Sequence, residues 1–124
     1  SAEAASSIAA DMVERLAEHV GPGNTTIALR GDDTVFGPAL ETSLRDKGYA
    51  VLTDQATNQA ALEPLAYSID PFEGGVLVRI STLKVELTRI YTLGTNGAAG
   101  ANGAAGAVPA SPLSVMQRRS AGRS

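Results

Sequence analysis

The chain contains no cysteine, no tryptophan and a single histidine. Without cysteine there are no disulfides and no Cys-ligated metals, and the redox compartment stays open. Aromatic residues are scarce, with two Phe and three Tyr, so a core has to be assembled mainly from Leu, Val, Ile and Ala. No apolar run approaches the length that spans a bilayer, and the first residues do not read as a signal peptide. The expectation is a mature or trimmed form whose targeting segment has been removed.

The chain offers 124 residues, enough for one domain. Composition divides it at Leu93. Residues 1–93 read as a compact domain. Residues 94–124 read as a flexible Gly/Ala-rich tail with a short apolar and basic terminal patch. The hexamer NGAAGA occurs twice in succession, from Asn96 to Ala107. Gly and Ala bury too little surface to offset the entropy of ordering them, which favours a tether. Charge divides too: the first part carries seven Lys and Arg against thirteen Asp and Glu, the tail three arginines and no acid. An acidic body argues against direct nucleic-acid binding, because phosphate neutralisation needs a basic face.

Within the first part, Ile8, Met12, Val13, Leu16 and Val20 recur at helical spacing, predicting an amphipathic helix capped by Ser6 or Ser7 and stopped by Gly21-Pro22. The segment TTIALR alternates as a half-buried strand. A second helix is expected with its cap near Thr34, aligning Phe36, Leu40 and Leu44 and ending at Gly48. YAVLTD then reads as a strand, Gln55 to Pro64 as a polar loop, and LAYSID, VLVRIS and KVELTRIY as three further strands. DPFEGG is a turn by composition. The expected class is α+β: two helices packed on one face of a mixed, mostly antiparallel sheet of four to five strands, with a disordered C-terminal tail.

Chemistry-bearing residues do not converge. His19 falls in the last turn of the first helix, where orphan carbonyls and solvent account for it without a catalytic or metal role. Asp32 and Asp33 precede the second helix, where capping explains them. Asp70 and Glu73 flank Pro71 and Phe72, where turn chemistry explains them. GTNGAAG, from Gly94 to Gly100, loosely imitates a phosphate loop, but its spacing is wrong and no helix follows it. No nucleophile, base and orienting group assemble. The expectation is a protein without enzymatic activity, cofactor or metal.

Two features point to contacts instead. Phe72 sits in a Pro- and Gly-flanked turn, either folded back on the core or exposed as an anchor for a partner. Pro112, Leu113, Val115 and Met116 form an apolar patch near the C-terminus, either inert or ordering on contact. A tether of this kind spans roughly 30 Å, enough to reach a neighbouring subunit. Removing Val108 to Ser124 is expected to spare the fold and weaken partner binding.

In their order along the chain, DMVERLAEHVGPG, FGPALETSLRDKGYAV, AYSIDPFEGGVLVRIS and PASPLSVMQ resemble the TrbH family of bacterial conjugal transfer proteins, over about Met12 to Gln117. The Gly/Ala repeat looks like a local insertion between the last strand and the final block. The resemblance implies a structural or assembly subunit of a conjugative type IV secretion (mating-pair formation) apparatus. Its partners would be other secretion-apparatus subunits. It further implies a periplasmic domain held at the outer membrane by an N-terminal lipid, with Ser1 lying just after that anchor. The family brings no catalytic residues to carry over. The competing expectation is a small periplasmic domain that binds peptidoglycan or a peptide.

Overall fold

The computed structural model describes residues 2–23, 25–30, 35–53, 62–93 and 107–118. Along the chain run α1 (Ala2–Leu16), β1 (Thr26–Leu29), α2 (Phe36–Lys47), β2 (Ala50–Leu52), β3 (Leu62–Phe72), β4 (Gly75–Ser81), β5 (Val85–Leu93), β6 (Ala107–Pro109) and β7 (Ser114–Gln117). The class is α+β, as expected, but the sheet has seven strands rather than four or five. Its order is β2-β1-β3-β4-β5-β6, with β7 on β5 beside β6. β1 pairs in parallel with both β2 and β3, and every other pairing is antiparallel.

The two additional strands come from the part expected to be a tail. β6 and β7 pair with opposite halves of β5, in registers Thr92↔Val108 and Leu87↔Val115. Short strands with exposed side chains carry almost no hydrophobic periodicity, which is why composition alone did not announce them. Residues 94–106, which hold all of the repeat but Ala107, lie outside the described residues.

The first helix begins at Ala2, four residues or more before the expected cap. Ser7 lies inside it and donates its hydroxyl to the Glu3 carbonyl at 3.1 Å, the back-bonding that mid-helix serines adopt. Past Leu16 the chain tightens into i→i−3 bonds from Glu18 and His19, a common helix-end device. The Tyr49 hydroxyl donates to the Val20 carbonyl, satisfying an acceptor at that end. Burial pushes the pKa of Tyr49 up to about 12.

Helix α2 starts at Phe36, with Val35 at the N-cap making no side-chain cap bond; the expected cap at Thr34 lies outside the described residues. Its end follows expectation. Gly48 has φ 113°, a left-handed conformation that suits glycine. Gly48 N–H donates to Arg45 and Tyr49 N–H to Leu44, at 3.1 and 3.0 Å, a Schellman-type stop.

β3 is longer at both ends than LAYSID. It takes in Leu62 to Pro64 because β1 pairs there, and it runs on to Phe72 because the reversal is only two residues, Glu73 and Gly74. Both have positive φ, 49° and 85°, the type I′ geometry that matches strand twist.

Both helices pack on one face of the sheet. Directly opposed residues share a face, so Leu65, Val78, Ile80, Val85, Leu87 and Tyr91 project together and are buried. They meet Ile8, Met12, Val13 and Leu16 of α1 and Phe36, Leu40 and Leu44 of α2 in one cluster. Burying each such side chain stabilises the fold by roughly 1.5–3 kcal/mol before entropy is subtracted. Phe36 and Tyr67 meet edge to face with centroids 5.2 Å apart.

Candidate contact surfaces and family membership

The sheet's other face is covered by no helix among the described residues. Alternation places Phe72, Leu77, Ile90 and Val108 on it, one from each of β3, β4, β5 and β6. Leu77 and Ile90 are direct cross-strand partners, while Phe72 and Val108 lie diagonal to them. Phe72 is 40% exposed and is not folded back onto the core. The type I′ reversal explains it: the turn uses Glu73 and Gly74, leaving Phe72 as a strand-end residue on the open side.

The terminal patch does not behave as a unit. Met116 is 59% exposed on the open face, opposite Glu86. Val115, one residue away, belongs to the helix side, opposite Leu87, and remains exposed at the sheet margin. Leu113 is partly buried against the core, and Pro112 is exposed. Phe72 and Met116 share a face but sit at opposite ends of it, with Thr92 and Glu86 marking their rows on β5.

A polar cluster holds this segment in place. Arg89 interrupts the apolar side of β5, between Leu87 and Tyr91. Its Nη1 donates to Asp11 Oδ2 on α1 at 2.9 Å, and its Nε donates to the Ser111 carbonyl at 3.0 Å. The Tyr91 hydroxyl donates to the same Asp11 oxygen at 2.6 Å. Ser111 Oγ accepts from Ile90 N–H at 3.0 Å, and Ala110 N–H donates to the Ile90 carbonyl at 2.8 Å. Burial first, and the Asp11 carboxylate second, raise the pKa of Tyr91. At the far end, Arg118 N–H donates to the Lys84 carbonyl at 2.8 Å. Asp11, Arg89, Tyr91 and Ser111 were not singled out from sequence. The available signal was an arginine at a buried-side position of an otherwise apolar strand, which demands a partner.

On the helix side, a cleft of about 310 Å³ opens between the first turns of α1, the start of α2 and the sheet. Ala4, Val35, Phe36, Tyr67, Ser68 and Ile69 are among its lining residues. The chemistry candidates are scattered. His19 follows α1 in a half-buried turn; Asp70 and Glu73 are exposed at the β3–β4 end. Asp32, Asp33 and the GTNGAAG segment lie outside the described residues. Among the described residues no group of three or more His, Cys, Asp and Glu is placed to hold a metal ion, and no helix is long and apolar enough to cross a membrane.

The family model for conjugal transfer protein TrbH matches residues 1–119. A probable conjugal transfer protein TrbH from Sinorhizobium fredii (strain NBRC 101917 / NGR234) is 48% identical over 120 residues, covering 93% of this chain and 75% of that relative. No solved structure matches the chain. The family match takes in both the two-helix body and the β6–β7 segment, so the docked C-terminus lies within the matched region. The chain belongs to the TrbH family of conjugal transfer proteins, and its role lies in conjugation.

Proposed function

We propose that the protein is a non-enzymatic structural subunit of a conjugative type IV secretion apparatus in the cell envelope. It works by holding other apparatus subunits together. The observation that supports this is a row of apolar side chains, exposed at Phe72 and Val108, on a sheet face that no helix covers among the described residues, in a chain of a conjugal transfer family. Such patches mark protein contacts in soluble domains. The proposed contact residues are Phe72 and Met116 on the open face, with Pro112, Leu113 and Val115 at the adjoining margin.

In this reading the domain faces the periplasm and the full-length protein is held at the outer membrane by an N-terminal lipid. Confinement to a surface raises the effective concentration of weakly binding partners, so modest contacts suffice.

Crosslinked co-purification from detergent-solubilised envelopes of plasmid-bearing cells tests it. Recovery with other transfer-apparatus proteins is expected. Recovery alone, or with cell-wall material, contradicts it. Of the alternative readings, a peptide-binding domain is favoured by one observation, the apolar cleft.

A further inference from the structure

The open face carries charge of both signs, and the signs are separated along the strands. At the β3–β4 reversal Asp70 and Glu73 stand exposed, and Asp70 shares the open-side parity of Phe72. At the β4–β5 reversal Lys84 and Arg118 stand exposed, side by side through the Arg118 N–H bond to the Lys84 carbonyl. They continue the parity of Glu86 and Met116, which alternation assigns to the open side. Arg30 stands exposed one row past the Leu29↔Leu65 pair, at this same end. Between the two ends, Arg79 Nε and Glu86 Oε2 pair at 2.9 Å, so the middle is neutral. Among the described residues Asp70, Glu73, Lys84 and Arg118 enter no ion pair. The sequence has no acid after Glu86, so the basic end meets none from the C-terminal segment.

Apolar side chains lie between these ends. Phe72 and Val108 are exposed near the acidic one, Leu77 and Ile90 are half-buried behind them, and Met116 is exposed near the basic one. The face is four strand positions wide, from β3 to β6 and β7. At about 4.8 Å between strands and about 3.4 Å per residue, it measures roughly 20 by 25 Å. Two such faces in contact bury roughly 1,000 Å² in total, the lower bound for a specific association and far below what obligate pairs bury. A complex through this face is therefore weak and concentration-dependent.

We propose that two copies of this chain associate through their open faces, with strands antiparallel across the interface and the acidic end of each over the basic end of the other. A twofold axis lying between the faces and crossing the strands exchanges the two ends. Such an interface makes every contact twice: Asp70 and Glu73 of each copy meet Lys84 and Arg118 of the other. Stacking with the strands parallel would set acid on acid and base on base, which is penalised. The apolar side chains between the ends then pack sheet on sheet, as in a sandwich. A face that carries both halves of a complementary pattern fits a second copy by construction, whereas an unrelated partner has to reproduce that pattern. The proposal rests on the reading of the open face as a contact surface and names its occupant.

Sedimentation of the purified full chain over a range of concentrations tests it. A monomer–dimer equilibrium is expected, weakening as salt rises because exposed charges are screened. Reversing the acidic end (Asp70→Lys with Glu73→Lys) or the basic end (Lys84→Glu with Arg118→Glu) should weaken the dimer about tenfold or more through like-charge contact, with each unfolding midpoint near that of wild type. An equal mixture of the two reversed chains should recover association, since a mixed pair restores opposite charges at both contacts. Dimer strength unchanged by the reversals, or a mixture no tighter than its components, overturns the proposal. So does a chain that stays monomeric throughout. If envelope crosslinking still recovers other apparatus proteins with that monomer, the contact reading stands and its occupant is one of them.

Discussion

Arg89 on β5 and Asp11 on α1, 78 residues apart in the chain, meet at 2.9 Å, and the same guanidinium holds the Ser111 carbonyl of the C-terminal segment. The pair is only about one-fifth exposed. A charged hydrogen bond in such surroundings is worth about 1.5–3 kcal/mol. One side chain therefore ties the helix layer, the sheet and the terminal strands together.

Replacing that side chain tests the tie. Arg89→Met keeps the aliphatic bulk and removes both bonds. The expected result is a stability loss of about 1.5–3 kcal/mol in urea unfolding, with faster hydrogen exchange across residues 107–118 and little change in β3 and β4. Uniform acceleration through the whole chain would argue for general destabilisation instead.

The arrangement revises one sequence-based expectation. Deleting Val108 to Ser124 removes most of β6 and all of β7, strips Leu113 from the core and leaves Arg89 without the Ser111 carbonyl. The deletion is now expected to lower the unfolding midpoint and expose the β5 edge to association. A truncated chain as stable and monomeric as the full one would contradict the docked position of the strands.

Gly75 has a steric rather than a conformational role. A Cβ built there collides with the Tyr91 carbonyl oxygen and lies 3.1 Å from its carbon. Both are backbone, so no rotamer change relieves the clash. Gly75→Ala is expected to cost about 1–3 kcal/mol, the usual range for overpacking. A neutral substitution would mean the β4–β5 spacing at this end is wider than described.

The alkaline limb of the stability curve reports on Tyr91, whose pKa is raised too, and on Tyr49. The folded pKa of Tyr49 is raised to about 12 from 10.0. The folded state thus holds the phenolic proton more tightly than the unfolded chain. That stability is fully present below pH 10 and is lost as pH rises towards 12, with a slope of at most about 1.4 kcal/mol per pH unit. Tyr49→Phe should make this limb shallower between these pH values, leaving the Tyr91 contribution, while lowering stability at neutral pH, because the bond to the Val20 carbonyl is gone. An unchanged limb would place the titration elsewhere.

Strong periodicity made part of this fold legible. Ile8, Met12, Val13, Leu16 and Val20 in α1, and Phe36, Leu40 and Leu44 in α2, are all buried as their spacing requires. Gly48 ends α2 as its position implied. What local pattern did not carry was pairing. Leu62 to Pro64 became strand because β1 lies alongside, and Asp70 to Phe72 because the reversal needs only two residues. Val115 and Met116 look alike in composition but fall on opposite sides of β7. For the proposed contact surface, Phe72 was visible as an aromatic in a Gly- and Pro-rich stretch. Leu77, Ile90 and Val108 were not, since they join it only through cross-strand register. Arg89 hid for a related reason: its partners on α1 and at Ser111 are distant in sequence.

The central claim is that the protein serves conjugation through surface contact centred on Phe72. Plasmid-transfer frequency tests it most directly, in donors lacking the chromosomal or plasmid copy of this gene and complemented with wild type or Phe72→Ser at matched protein level. Phe72 is a partly exposed strand-end residue, so the substitution should shift stability by about 0.5 kcal/mol or less. The account predicts a drop in transfer of about tenfold or more with the unfolding midpoint nearly unchanged. Wild-type transfer by the Phe72→Ser donors would contradict it.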